Sequence, residues 1–404
     1  MNYQLSRRYF LRSSAALGLS QLLGGCARGK TIAQILFLEN SIPPQLVRDF
    51  HKLQTKGEKV EFKPQTNIRQ IFDSLFSLQQ SNLQHSKKPE VEITKAIEKI
   101  FNKSQLNPSL ATLGDTWLSL AIAQNLIQPL AIESLANWQK LPVSWQKLVQ
   151  RDSQGYLADN GAIYGAPYRW GGTLIAYRSD KLDQLNIKIE DWQDLWRLEL
   201  RDRISLLDSP REVIGLTLKK LGKSYNTENL NTVDNLETEL QALHQQTKLY
   251  SSDHYLEPLV LGDTWAAVAW SADILPLLKR YPEIKFVVPQ SGTSLWADIW
   301  VKPRLSKAES TNENEELSVI REWINYCWQL QAATQISLFT DGVSPIFRAS
   351  GMRDVPKSIQ ENIFINSPVL NSDKSEFLLP LKPETEQQYH DLWLKIRQSS
   401  AKAS

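Results

Sequence analysis

Apolar runs of strand length alternate with segments of helical periodicity along most of this chain. Residues 32–38, 110–114 and 204–207 show buried-strand patterns, and residues 68–78 and 213–221 repeat apolar side chains at helical spacing. Regular alternation of this kind is typical of α/β folds, in which helices cover a sheet. With 404 residues the chain is long enough for two domains of medium size.

Residues 1–26 resemble an export signal and are kept out of the fold prediction. Arg7 and Arg8 precede an apolar run, residues 15–23, that is too short to span a bilayer, since a spanning helix needs roughly 20 apolar residues. An arginine pair in this position resembles a twin-arginine signal. The tetrapeptide ending at Cys26 matches the bacterial lipobox, so we expect a lipid on Cys26 and a location in the periplasm or on the extracytoplasmic membrane face. The alternative is a cytosolic N-terminal helix with a chance cysteine.

The side chains that enzymes and metal sites need are scattered in this sequence. The five histidines show no metal-ligand spacing and no glycine-rich phosphate loop is present. Beyond the signal the only cysteine is Cys327, which we expect to be a buried helix residue. The net charge is +2 without a basic stripe, which does not suggest a nucleic-acid partner. We therefore expect no catalytic activity, no cofactor and no metal.

Several motifs follow one another in the order seen in a known family. They are Pro167-Tyr168-x-Trp170-Gly171, Trp192-x-Asp194-Leu195-Trp196, Asp208-x-x-Arg211-Glu212-Val213, Lys220-Leu221-Gly222, Trp270-Ser271 and Pro289-x-x-Gly292-x-x-x-Trp296-x-Asp298. This order resembles the spermidine/putrescine-binding family of periplasmic proteins over most of the chain after the signal. The resemblance implies an α/β, two-lobed periplasmic-binding-protein fold of type II (a Venus-flytrap), with hinge strands crossing between the lobes. It also implies a solute between the lobes, a permease partner in the membrane and no catalysis.

Each predicted lobe combines two stretches of the chain. The approximate boundaries assign residues 31–166 and 298–345 to lobe 1, and residues 167–297 and 346–404 to lobe 2. Tyr168 and Trp170 flank the first predicted crossing between the lobes. For these two side chains we expect a role in the hinge or in the floor of the cleft.

One predicted strand carries side chains that suit an organic cation. Because side chains alternate across a strand, Trp296, Asp298 and Trp300 share one face of residues 295–301. A carboxylate flanked by aromatic rings can hold an ammonium group, and each cation–π contact contributes about 0.5–2 kcal/mol. The family has its tryptophan and its amine-binding carboxylate here, so the resemblance implies that Trp296 and Asp298 bind the ligand. The alternative is a surface strand whose aspartate pairs locally.

Four further residues are candidates for the ligand site. Glu212 matches a ligand acid of the family, but Ser209, Pro210 and Glu212 also form the pattern of a capping box, in which the glutamate bonds the backbone. Ser209 stands where the family often has an aspartate. Trp270 closes an apolar strand, a place where α/β sheets present ligand contacts, and Trp117 lies in a turn that matches the family's first-lobe binding turn. For both tryptophans the alternative is core packing.

These patterns predict a lipid-anchored protein that captures a small cationic solute of the polyamine type and delivers it to an ABC importer. After the first strand the family has a polar-aromatic acid cluster, whereas this chain has Leu38-Glu39-Asn40-Ser41. The aromatic wall is thinner here, and with Ser209 one acid is absent, so a solute with fewer positive charges is expected, or a different small solute. Alternative solutes are thiamine, an amino acid or a sugar. The alternative class is a sensor or assembly lipoprotein of the same fold.

Overall fold

The computed structural model describes residues 31–54, 59–85, 106–304, 313–349 and 355–399. The predicted signal, with Arg7, Arg8 and Cys26, lies outside the described residues. Within those ranges, none of the helices combines the length and the apolar character that crossing a membrane requires.

The described chain alternates strands with helices, as the apolar pattern predicts. The strands are β1 (Thr31–Leu38), β2 (Lys59–Gln65), β3 (Leu110–Gly114), β4 (Ile127–Gln128), β5 (Gln150–Arg151), β6 (Ala162–Ile163), β7 (Ala166–Arg178), β8 (Ile204–Leu206), β9 (Thr247–Tyr250), β10 (Ala266–Trp270), β11 (Ile284–Val287), β12 (Ser294–Pro303) and β13 (Glu376–Phe377). The α-helices are α1 (Pro44–Leu53), α2 (Ile68–His85), α3 (Leu118–Ala123), α4 (Val143–Val149), α5 (Ser179–Leu182), α6 (Pro210–Lys220), α7 (Leu236–Gln246), α8 (Glu257–Leu261), α9 (Ser271–Leu278), α10 (Glu313–Cys327), α11 (Leu330–Phe339), α12 (Ile346–Ala349), α13 (Lys357–Gln360), α14 (Ile363–Asn366) and α15 (Pro383–Gln398).

Two strands run from one lobe into the other and join both lobes in one sheet. The strand order is β2-β1-β3-β12-β7-β10-β8-β9, with β4 and β13 also paired to β12 and β11 paired to β7. Residues 166–172 of β7 pair with β12 in the first lobe, and residues 173–177 pair with β10 in the second. Residues 298–301 of β12 pair with β3, while its first two residues pair with β13. β7 and β12 are therefore the crossing strands of a two-lobed α/β fold, as predicted.

Each lobe has its own apolar core, and one predicted boundary between them is displaced. The first core takes in the sheet from β1 to β12 together with α10 and α11, and the second is built around β8, β10, α6 and α7. Residues 346–349 and 355–370, which the predicted boundaries assign to lobe 2, pack in the first core. The physical reason is aromatic packing, since Phe364 of α14 lies edge-on to Trp170 with ring centroids 5.7 Å apart.

Some helical segments of the structure are 3-10 helices or begin with a 3-10 turn. The segment 192–196 forms a 3-10 helix, at whose start Asp191 and Asp194 make a reciprocal capping box. The segment 115–117 forms a 3-10 turn that leads directly into α3. Cys327 is buried at the end of α10, as predicted, and burial raises the pKa of its thiol.

The motifs that carry the resemblance most specifically build the second lobe. Trp192 is fully buried, and its indole N–H donates to the Gly292 carbonyl at 2.8 Å. Gly222 follows α6 with a φ of +71°, a conformation that favours glycine at the end of a helix. These residues stabilise the local fold, and their contacts give no information about a solute.

Candidate functional site

Asp298 and Arg169 face each other across the crossing strands β12 and β7. Arg169 Nε donates to Asp298 Oδ2 at 2.7 Å, and Arg169 Nη1 donates to the Thr340 carbonyl, also at 2.7 Å. The two side chains are only 4% and 7% exposed. Burial raises the pKa of the Asp298 carboxyl, and the ion pair opposes that shift. The carboxylate that the sequence offers to a ligand cation is thus paired with a cation of the chain itself.

Trp296 lies beside this ion pair, where the two lobes meet. The guanidinium carbon of Arg169 is 5.3 Å from the centre of the Trp296 ring, within cation–π distance. The ring also packs on Gly171 of β7, where a Cβ atom would overlap both the ring and the Ser271 hydroxyl. Ser271 begins α9 in the second lobe. Only a glycine at position 171 therefore lets Trp296 and the start of α9 both lie against β7. The Trp296 ring remains partly exposed, and its buried N–H has no hydrogen-bond partner in the described part of the chain.

Glu212 is a buried acid at the start of α6, only 5% exposed. Its carboxylate accepts hydrogen bonds from the Ser294 hydroxyl at 2.6 Å, the Thr173 hydroxyl at 3.1 Å and the Trp270 indole N–H at 3.3 Å. Burial raises the pKa of Glu212, and these three neutral donors oppose the shift. Ser209 caps α6 by accepting the Glu212 backbone N–H at 3.4 Å, whereas the Glu212 carboxylate is engaged by side chains of the crossing strands and β10.

Trp270 contacts Glu212 and has a partly exposed ring. It ends β10, and besides its hydrogen bond to Glu212 its ring lies edge-on to Tyr255 at 6.2 Å. The Tyr255 hydroxyl donates to Asp273 at 2.6 Å, and the Asp273 side chain is exposed. Trp270 therefore combines a hydrogen bond to a buried carboxylate with a ring that solvent reaches, which suits stacking against an organic solute.

Asp115 is a second buried acid, and the sequence interpretation passed over it in favour of its neighbour Trp117. Asp115 is 4% exposed, and its Oδ1 accepts the Ala297 backbone N–H at 2.9 Å. Its Oδ2 is buried and has no hydrogen-bond partner among the residues that the structure describes. Burial raises the pKa of Asp115 to about 7. Trp117 is half-buried and packs on Phe72 of α2 with ring centroids 4.7 Å apart.

Tyr168, Trp170 and Trp300 lie in the first core and are fully buried. The Tyr168 ring stacks on Trp300 with centroids 4.4 Å apart, and its hydroxyl shares a hydrogen bond of 2.8 Å with Ser41. Trp300 also packs on Trp323 of α10. β12 enters the first lobe at this point and is covered on both faces, so the accessible face that carries Trp296 does not extend to Trp300.

The structure brings together four of the predicted site residues and adds two. We use the name interlobe site for the set Trp296, Asp298, Glu212, Trp270, Arg169 and Asp115. Ser209 adjoins this set through α6, whereas Trp117, Tyr168 and Trp170 pack in or against the first core. Arg169 was detectable as the charged residue at the variable position of Pro-Tyr-x-Trp-Gly, whereas no spacing marked Asp115 as buried. Groups of three or more potential metal ligands do not occur among the described residues.

Two lobes that share crossing strands, with buried acids and accessible aromatic rings where they meet, define a class of protein that holds a solute between its lobes. Residues 108–366 match the family described as bacterial extracellular solute-binding protein, and this chain belongs to that family. Membership of a solute-binding family confirms the resemblance seen in the motifs. It also confirms the expectation that the chain is not an enzyme.

Individual relatives match parts of the chain. The chain is 30% identical over 144 residues to the spermidine/putrescine-binding periplasmic protein of Salmonella typhimurium. The matched region covers 36% of this chain and 41% of that relative. It is 25% identical over 237 residues to the putrescine-binding periplasmic protein PotF of Escherichia coli. Here the matched region covers 55% of this chain and 60% of the relative. The chain thus spans about half the length of these relatives.

Solved structures match nearly the whole chain. The spermidine/putrescine substrate-binding protein PotD of Streptococcus pneumoniae superposes with a TM-score of 0.68 at 19% identity, covering 92% of this chain and 99% of that one. The TpPotD lipoprotein of Treponema pallidum gives 0.61 at 15% identity, covering 91% and 99%. At these identities the similarity shows the fold, and the predicted two-lobed periplasmic-binding-protein fold is confirmed.

Proposed function

We propose that this chain is the extracytoplasmic solute-binding component of an ABC importer and that its solute is a small organic cation of the polyamine type. The names of the relatives in Salmonella and Escherichia support the solute class. The observation that carries the proposal is Glu212, a buried carboxylate held by neutral donors beside the partly exposed ring of Trp270. Such a carboxylate gains a charge-assisted hydrogen bond when an ammonium group arrives.

Solute capture follows from the position of these groups on opposite sides of the crossing strands. A bound amine pairs with Glu212 of the second lobe and stacks between Trp270 and Trp296, which comes from the first-lobe side. Since these contacts are all made only when the lobes are together, binding favours the closed form. A permease that recognises the closed form then receives only loaded protein.

We further propose that Cys26 carries a lipid that holds the protein at the membrane. The lipobox ending at Cys26 supports this, because the cysteine that ends such a motif is the residue that receives the lipid. Radiolabelled fatty acid supplied to cells should label the wild-type chain and fail to label Cys26→Ser. Cys327→Ser is the matched control and should keep the label, since Cys327 is buried in α10. Label in Cys26→Ser would exclude this anchor.

A thermal-shift screen tests the solute class. The purified protein is heated with spermidine, putrescine, thiamine, basic amino acids and simple sugars in turn. A ligand at about 100 times its Kd adds about 2.7 kcal/mol to the free energy of unfolding. Stabilisation by amines alone supports the proposal. Stabilisation by thiamine or a sugar replaces the solute, and no stabilisation at all favours the sensor or assembly class.

Glu212→Gln is expected to weaken amine binding by roughly 10- to 100-fold, because it removes the charge from a hydrogen bond to the ammonium group. Glutamine keeps the size of the side chain and can still accept from the Thr173 hydroxyl. Titration calorimetry with the best amine from the screen measures the change in Kd. Glu199→Gln, an exposed residue of the same lobe, removes the same charge and should bind normally. Equal affinity of the two variants would remove Glu212 from the site.

A further inference from the structure

Arg169 is built into the interlobe site as a permanent cation. Its stem passes Gly342, where a Cβ atom would lie 2.7 Å from Arg169 Cγ and 3.0 Å from Cδ, so that only a glycine leaves room for it. The neighbouring Trp170 and Val343 exchange two backbone hydrogen bonds of 2.9 Å, which fix this segment against β7. The stem therefore has a fitted channel, and the guanidinium has two fixed partners at its end.

The position of the guanidinium is one that a ligand ammonium group would otherwise take. It lies 2.7 Å from the Asp298 carboxylate and against the Trp296 ring, and this combination of acid and aromatic face suits an organic cation. The other two acids of the interlobe site differ from Asp298. Glu212 has neutral donors, and Asp115 has an oxygen without a hydrogen-bond partner in the described part of the chain.

We propose that Arg169 replaces one positive charge of the ligand and thereby sets the number of ammonium groups that the site accepts. This inference rests on the proposed function, an amine held between the lobes. With Asp298 neutralised from within, Glu212 and Asp115 are left to pair with the solute. An amine with a further ammonium group would have to share Asp298 with Arg169, and burying an unpaired charge is costly. Arg169 is therefore a specificity-determining residue that favours short amines with few charges over long polyamines.

Displacement of Arg169 by the ligand is disfavoured by the same geometry. A competing ammonium group would have to break both the Asp298 and the Thr340 hydrogen bonds of a guanidinium that is 4% exposed. The displaced side chain would also have to leave the channel beside Gly342. An Asp298 carboxylate that is free to bind a ligand therefore requires substitution of Arg169.

The test compares wild type and Arg169→Met with three amines that differ in charge, namely butylamine, putrescine and spermidine. Titration calorimetry at fixed ionic strength gives each Kd. In the variant the preference should move towards the amine with one more ammonium group, with the ratio of Kd values changing roughly 10- to 100-fold, the effect of one charge-assisted hydrogen bond. Should Arg169→Met fail to fold, Arg169→Gln removes the charge while leaving an N–H donor for Asp298.

The double variant Arg169→Met with Asp298→Asn is the matched control. It opens the same space but offers no acid, so the gain for the more highly charged amine should disappear. An unchanged order of preference in the single variant would overturn the proposal. A gain that persists in the double variant would also overturn it, because space rather than charge would then be responsible. If neither wild type nor variant binds any amine, the proposed function itself fails and this inference falls with it.

Discussion

Asp298→Asn is expected to lower the free energy of unfolding by about 3–5 kcal/mol, because the buried Arg169 loses its counter-charge. In the intact protein the guanidinium has one charged partner, Asp298, and one neutral partner, the Thr340 carbonyl, both at 2.7 Å. Asparagine preserves the shape of the side chain and leaves the cation with neutral partners alone. Urea unfolding followed by tryptophan fluorescence measures the loss.

Asp180→Asn is the matched control for this effect. Asp180 pairs with Arg178 through two hydrogen bonds of 2.7 and 2.9 Å, but its side chain is 36% exposed. Because water screens exposed ion pairs, we expect a loss below about 1 kcal/mol. Removing both charges of the buried pair, in Arg169→Met with Asp298→Asn, should recover most of the stability. Similar small losses in Asp298→Asn and Asp180→Asn would show that the buried pair is not maintained in solution.

The stability of the wild-type protein relative to Asp115→Asn should fall as the pH rises from about 4 to about 7. Burial raises the pKa of Asp115 from 3.8 to about 7, so that in this range the folded chain keeps a proton that the unfolded chain releases. An acid whose pKa is raised by folding contributes its full stability below the unfolded value and loses it as the pH passes the folded value. The difference between the two pKa values corresponds to on the order of 4 kcal/mol.

Asp115→Asn isolates this titration because asparagine keeps an acceptor for the Ala297 N–H and has no proton to release. Urea unfolding of both proteins at several pH values gives the difference in stability, and most of the effect of the other acids cancels in that difference. A difference that does not change with pH would show that the Asp115 carboxylate is solvated or paired in solution.

The architecture was accessible from the sequence because it depends on local patterns. The periods of the apolar residues predict the α/β class. The motif Trp192-x-Asp194-Leu195-Trp196 predicts a local fold because its residues are buried or cap the 3-10 helix that they form. The acids Asp298 and Glu212 were found because motifs place them at a strand and at a helix start. What these acids touch depends on neighbours more than 30 positions away in the chain, and no local pattern contains that information.

Arg169 illustrates the limit most clearly. Its pairing with Asp298 depends on the register of β7 against β12, where an irregularity follows Asp298. A shift by one position would turn Arg169 to the opposite face, so the sequence alone cannot assign its partner. The displaced lobe boundary has a similar cause, since the chain stays in the first core beyond residue 345 through contacts such as Phe364 with Trp170.

Asp115 shows that identical short sequences can have opposite environments. The tetrapeptide Gly-Asp-Thr-Trp occurs at 114–117 and again at 262–265. In the first copy Gly114 is extended with a φ of −78° and Asp115 is buried, whereas in the second Gly262 has a φ of +83° and Asp263 is exposed. The two copies are therefore not a structural repeat, and burial of the first aspartate arises from β12 beside it.

The strands β7 and β12 carry the Arg169–Asp298 pair where the chain crosses between the lobes. Glu212 is tied to the same two strands, since the Thr173 hydroxyl of β7 and the Ser294 hydroxyl of β12 donate to its carboxylate. A substitution that shifts these strands against each other is therefore expected to displace both acids together, so that the charges offered to a solute act as one unit.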